Sequence, residues 1–227
     1  IAATILRYEP LMIVTRDIEE CKGNIAEISA RKGIEIDVDA IRFYECPLND
    51  TWARDHGGIS VFGEDGQKYL YDFVFNGWGL KFASDKDNLI TERLHCGGHL
   101  FGELRNCRNF TFEGGSIESD GEGTLLTTSE CLLSPNRNAT MSRNDIEKYL
   151  LDVLGAKQML WLDHGYLAGD DTDSHIDTLA RLCPNNTILY VKCDDESDEH
   201  YEALQRMEEQ PKTFRTLSGE PYRLIAL

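Results

Sequence analysis

Apolar positions along the chain alternate between two spacings, and each spacing predicts an element. Around 142 to 154, Ile146, Leu150, Leu151 and Leu154 recur at the three-and-four interval that places them on one helix face. Ser142 precedes the run as an N-cap, acidic Asp145 follows three residues later, and Gly155 stands just past the last apolar position. The same interval predicts helices over 87 to 95, through Leu89, Ile90 and Leu94, and over 197 to 210, through Tyr201, Leu204 and Met207, opening near Ser197. An earlier helix, 18 to 33, closes on Gly33. Between the helices lie short β-type runs at 41 to 46, 58 to 62 and 69 to 75, then 109 to 112, 116 to 119 and 123 to 127, then 158 to 162, 175 to 183 and 187 to 193. Each unit reads as a helix followed by three strands. A supersecondary unit repeated about every 55 residues buries its core against its neighbours, and units set around an axis form an α/β propeller.

Polar clusters recur at equivalent places in this repeat: Trp52-Ala-Arg-Asp55, Phe112-Glu113-Gly-Gly115 and Asp173-Ser-His175-Ile-Asp177. Pseudo-symmetry would carry them to a common centre, whereas the plainer reading is that turns are polar everywhere. On a strand, His175 and Asp177 would share a face, and the carboxylate would favour the imidazolium that a general acid requires. An exposed charged pair is the plain alternative. Asp55 precedes His56-Gly57-Gly58, where the backbone can turn tightly beside a ligand. Two carboxylates, Asp55 and Asp177, could clamp two edges of a planar guanidinium, and loss of one partner of such a buried pair costs about 3–5 kcal/mol. A salt bridge between Asp55 and Arg54 competes with that reading. Trp52 offers a ring face worth about 0.5–2 kcal/mol to a cation, or a core contact. Glu113 opens a glycine turn that could equally be solvated, and Trp78 reads as packing within Asn76-Gly-Trp-Gly79.

Composition narrows the class. The chain has 227 residues, 41% hydrophobic and 28% charged, enough for one large domain with a core or two small ones. The longest apolar runs, such as Leu11-Met-Ile-Val14, are strand-sized, so neither a membrane span nor a signal peptide is expected. A first residue of Ile1 and an apolar ending, Tyr222-Arg-Leu-Ile-Ala-Leu227, suggest a piece cut at both ends. A net charge of −17 repels nucleic acid and anionic lipid and attracts small cations, although most acidic proteins are acidic only for solubility. Seven scattered cysteines without a C-x-x-C pair fit free thiols in a reducing cytoplasm. P-loop, G-x-S-x-G and H-E-x-x-H motifs are absent, and neither Asp170-Asp-Thr-Asp173 nor Asp85-Lys-Asp87 continues as an EF-hand.

Five segments in order, Asn49-Asp-Thr-Trp-Ala-Arg-Asp-His-Gly57, Phe75-Asn-Gly-Trp-Gly79, Glu113-Gly-Gly-Ser-Ile117, Gly121-Glu-Gly-Thr-Leu-Leu-Thr-Thr128 and Asp170-Asp-Thr-Asp-Ser-His-Ile-Asp177, together resemble the agmatine deiminase and Porphyromonas-type peptidylarginine deiminase family. Leu132-Leu-Ser-Pro-Asn-Arg-Asn138 adds to the likeness. The resemblance implies a five-bladed α/β propeller, present here as one domain over residues 1–227 with about four units. It implies hydrolysis of a guanidino group to a ureido group with release of ammonia, agmatine being the favoured substrate over arginine and peptidylarginine. Asp55 and Asp177 would hold the guanidinium, His175 would act as acid and then base, Trp52 and Glu113 would line the pocket, and Asp171 would lie toward the substrate tail. No metal or organic cofactor is implied, and homo-oligomerisation is left open.

The sequence departs from that family in two places. The family nucleophile is a cysteine in a Gly-x-x-His-Cys context, which none of the seven cysteines here has, so the unit carrying it is expected outside these residues. Ser174 also stands where the family often has glycine. A guanidino-binding relative without catalysis is the second reading, and a metal hydrolase using Asp55, His56, His175 and Asp177 is the third.

Overall fold

The computed structural model describes residues 1–169 and 173–227. Its first sheet is a parallel pair, β1 (Met12–Thr15) and β2 (Arg42–Glu45). Three three-stranded sheets follow: β3 (Ile59–Phe62), β4 (Lys68–Val74) and β5 (Glu103–Thr111); β6 (Glu118–Ser119), β7 (Thr124–Thr128) and β8 (Gln158–Leu162); β9 (Ala180–Cys183), β10 (Thr187–Tyr190) and β11 (Arg223–Ala226). In each, the first two strands are antiparallel and the third lies parallel to the middle one. Parallel neighbours need a crossover, and helices Ile90–Cys96, Arg143–Leu154 and Tyr201–Glu209 supply it between second and third strands. The repeat is therefore strand, strand, helix, strand. The order helix then three strands, read from the sequence, takes the right elements at the wrong phase, because a sequence period does not show where one sheet stops.

Capping decides how well the helix ends were anticipated. Ser142 and Asp145 form a reciprocal capping box and Gly155 closes the helix at φ 68°. Asp17 accepts from the Glu20 amide and Gly33 closes that helix at φ 62°. The helix expected from Ser197 begins instead at Tyr201, because Ser197 bonds Asp195 rather than capping a helix. The strand expected over 175 to 183 starts only at Ala180, since Ile176–Thr178 is a 3-10 turn capped by His175.

Side chains from neighbouring units share each core. Phe73 and Phe110 of the β3–β5 sheet meet Leu125 and Trp161 of the next, sealed by Ile146 and Leu150. Leu126 and Leu162 then meet Ile188, Leu204 and Met207 of the last unit. Burying a side chain of this kind is worth about 1.5–3 kcal/mol, so each interface holds adjoining units together. This leaves the short turns ahead of β3, β6 and β9 to meet one another.

Candidate active site

Three turns, each just before the first strand of a unit, carry the polar clusters. Asp55 sits on the helical turn Ala53–His56, Glu113 opens the 3-10 turn Gly114–Ser116, and His175 caps the 3-10 turn Ile176–Thr178. They converge around Gly115. A Cβ placed on that glycine would lie 2.4 Å from His175 Nδ1, 2.7 Å from Asp55 Oδ1 and 3.0 Å from Asp177 Oδ2. No side chain fits there, so glycine keeps open the point at which the three groups face each other. The His175-x-Asp177 pair reaches one cleft because a turn aims both residues inward; the strand alternation inferred from the sequence is not the cause.

Asp55 is locked before any ligand arrives. Its Oδ1 accepts from the Gly115 amide at 3.0 Å and its Oδ2 from Trp78 Nε1 at 3.0 Å. Arg54 donates to the Ile117 carbonyl instead, so the competing Arg54–Asp55 bridge is not formed. Trp78 occupies a left-handed turn in which Gly77, Trp78, Gly79 and Leu80 have φ values of 70°, 58°, 75° and 67°. Such backbone costs about 1–2 kcal/mol for each non-glycine residue, and the buried indole–carboxylate bond offsets part of it. The sequence reading of Trp78 as mere packing missed this bond. Two glycines flanking a tryptophan were the available signal.

Behind His175 the groups are fully paired. Its Nε2 lies 2.8 Å from Glu113 Oε2, and Arg137 Nη2 donates to the same oxygen at 2.8 Å. Burial would raise the Glu113 carboxyl, but bonds from His175 and Arg137 outweigh it and hold that group below its ordinary range. Burial likewise disfavours the imidazolium, yet the bond to Glu113 and the field of Asp55 outweigh it and hold His175 above its ordinary range. That direction favours the imidazolium, with Nε2 donating to Glu113. Arg137 was visible in the sequence only as part of a familiar segment.

Toward solvent the pattern reverses. A cleft of about 480 Å³ is lined by Trp52, Asp55, Trp78, Asp173, His175 and Asp177. Burial is the main cause that raises Asp173 to about 6, and burial also raises Asp177. Asp173 Oδ1 is buried without a partner among the described residues. Trp52 is 63% exposed at the mouth, so the core reading of that residue fails. Asp171 lies outside the described residues. Ser174 has φ 58°, which explains why glycine suits that position.

One further expectation is corrected. His56 lines a separate apolar cavity of about 530 Å³ between β1 and β3, not the cleft, so it cannot join Asp55 and His175 on one ion. Around His175, Glu113 and Cys131 on one side and Asp55 and Asp173 on the other each complete a set of three possible ligand atoms within 4.8 Å of one another. Cys131 lies 4.0 Å from Glu113 Oε2, nearer the chemistry than its sequence context suggested. It is 0% exposed and burial pushes its thiol up, so it faces the back of the site as a neutral group.

Paired carboxylates beside an imidazole, with an aromatic at the rim, have the chemistry to accept a flat cation, in a mixed α/β protein built from small sheets. Residues 1–227 match the family model described as Porphyromonas-type peptidyl-arginine deiminase, and the chain belongs to that family. A solved structure from Porphyromonas gingivalis, named "Putative Arginine Deiminase", is 49% identical with a TM-score of 0.91, covering 100% of this chain and 65% of its own. A substrate-bound C. jejuni agmatine deiminase is 36% identical with a TM-score of 0.86, covering 100% of this chain and 62% of its own. A Legionella pneumophila protein named "Putative agmatine deiminase" is 34% identical over 230 residues. The chain spans 62% of the length of that curated relative.

Proposed function

We propose that the product of the whole gene hydrolyses a guanidino group to a ureido group and releases ammonia, with agmatine as substrate and N-carbamoylputrescine as product. The observation that carries this reading is the meeting of Asp55, Asp177 and His175 around Gly115. Asp55, held by two N–H donors, keeps one lone pair on each oxygen for a guanidinium edge, and Asp177 takes another edge. Trp52 covers the alkyl stem at the mouth. Agmatine carries a second positive charge, which suits an acidic cleft and a chain of net charge −17 better than the carboxylate of free arginine does.

The nucleophile is a cysteine thiolate from a unit beyond residues 1–227, which would be the fifth blade of an α/β propeller forming one domain with these four. The thiolate attacks the guanidino carbon. His175 gives its Nδ1 proton to the departing nitrogen, ammonia leaves, and an S-alkylthiouronium remains. Water then attacks that carbon, neutral His175 takes its proton, the C–S bond breaks, and the ureido product departs with the thiolate restored. Seven free cysteines support a reducing, cytoplasmic setting, and among the described residues no helix is long and apolar enough to cross a membrane.

A second reading is favoured by one observation: among the described residues no thiol lines the cleft, so these residues alone form a guanidino-binding site. Ammonia and ureido-product assays on the whole-gene product, run with agmatine, arginine and a peptidylarginine, separate the two. Agmatine turnover that falls at least ~10²-fold in His175→Ala is expected. Binding of agmatine without any product would leave only the receptor.

A further inference from the structure

One buried cation takes no part in the chemistry so far. Arg137, its side chain 4% exposed, stands behind Glu113, whose side chain is 0% exposed. Nη2 donates to Glu113 Oε2 at 2.8 Å, Nε bridges Oε1 and Oε2 at 3.3 and 3.2 Å, and Nη1 donates to the Cys131 carbonyl at 3.2 Å. The left-handed turn packs over it, since a Cβ on Gly79 would lie 3.4 Å from Nη1. Arg137 does not line the cleft.

The proposed reaction makes two opposite demands on His175. It must hold a proton when the substrate binds, and it must be neutral when water attacks. Its surroundings serve the first demand strongly. Glu113 faces Nε2, Asp55 and Asp173 each lie 3.7 Å from Nδ1, and Asp177 shares the cleft. Cys131 faces it from Ser129–Leu132 as a neutral thiol, while Arg54 and Lys81 act farther out, on Asp177 and Asp173 respectively. A carboxylate oxygen shared between two cations attracts each of them less than it would attract one alone. Arg137 takes up the very oxygen that accepts from His175.

We propose that Arg137 is a positioning residue: its guanidinium fixes Glu113 against His175 and, by sharing that carboxylate's charge, lets the imidazolium release its proton for the second half of the reaction. This rests on the deiminase reading above. A merely structural role would hold Glu113 in place and leave the proton affinity of His175 unchanged.

The test uses the whole-gene product labelled with ¹³C-histidine, the His175 signal being assigned by its loss in His175→Gln. In Arg137→Met the His175 titration midpoint should rise by about one pH unit or more, whereas Arg137→Lys should stay within about half a unit. In a Glu113→Gln background no shared carboxylate remains, and the shift caused by Arg137→Met should shrink to less than half of its size. The kcat for agmatine should fall in both Arg137 variants with KM held within about twofold, because Arg137 does not touch the cleft. A folded Arg137→Met protein with an unmoved midpoint, or a loss confined to KM, overturns the proposal. If the Met variant does not fold, the Lys variant decides: a midpoint moved by a full unit overturns it, and a held midpoint with reduced kcat supports it. Failure of the deiminase reading is separately visible, as a wild-type protein that titrates normally yet releases no ammonia.

Discussion

The back wall of the site and its mouth are built from the same residue types under opposite rules. At the back, Glu113 receives Arg137 and His175, and Asp55 receives Trp78 and Gly115, so buried charge is met by donors supplied by the protein. At the mouth, Asp173 and Asp177 are half-buried, burial raises both, and no hydrogen bond contributes to either among the described residues. A carboxylate withdrawn from water without a donor is costly, and folding for stability alone would not leave two of them side by side. Among the described residues the back is saturated and the mouth is not, which is what the proposed guanidinium substrate would require.

That contrast predicts opposite responses to removing a carboxylate. Glu113→Ala strands Arg137 in the interior and should cost about 3–5 kcal/mol of stability, lowering Tm by roughly 6–20 °C for a chain of this size. Asp177→Asn removes a strained charge and should leave Tm unchanged or slightly raised, while agmatine kcat/KM falls by about 10²-fold or more. Thermal denaturation and steady-state kinetics on the two variants check both halves. A stability loss in Asp177→Asn equal to that of Glu113→Ala would erase the distinction. Trp78→Phe sharpens it from the side of the saturated wall: one N–H to a buried carboxylate is worth about 1.5–3 kcal/mol, so kcat/KM should fall roughly 10- to 100-fold, with the ring packing kept.

Legibility of the sequence follows the same division. Elements bounded by a cap, such as the helix Arg143–Leu154 between Ser142 and Gly155, were readable because the signal is local. So were Asp55, Glu113, His175 and Asp177 as candidates, because recurrence at a fixed interval marks equivalent places in a repeat. The phase of the repeat was not readable, since strand partners are chosen across 30 or so residues of crossover. Nor were the roles of Trp78 and Arg137. Each acts through a bond to a residue 23 or 24 positions away, between a turn and a loop that no periodicity links. Cys131 was set aside on sequence context, and only its burial beside Glu113 shows that it is near the chemistry yet turned away from the cleft.

The smallest effect comes from the proton held at the mouth. Asp173 is raised from 3.8 to about 6, mainly by burial, with Glu113 and Asp55 adding to the shift against His175 and Lys81. A raised folded-state value means that this group favours the folded chain fully below about pH 4, and that the contribution is lost as pH rises through 6. A bound guanidinium reverses the preference, because it stabilises the anion. Agmatine binding should therefore release a proton between about pH 4 and 6, and its affinity should weaken by up to about tenfold per pH unit below 6 while staying flat above it. Calorimetry in two buffers of different ionisation enthalpy measures the proton directly, and Asp173→Asn should reduce the release, leaving the part that Asp177 contributes. If affinity were level from pH 5 to 7, Asp173 would already be ionised in the empty cleft, and the mouth would be less starved of donors than its geometry indicates.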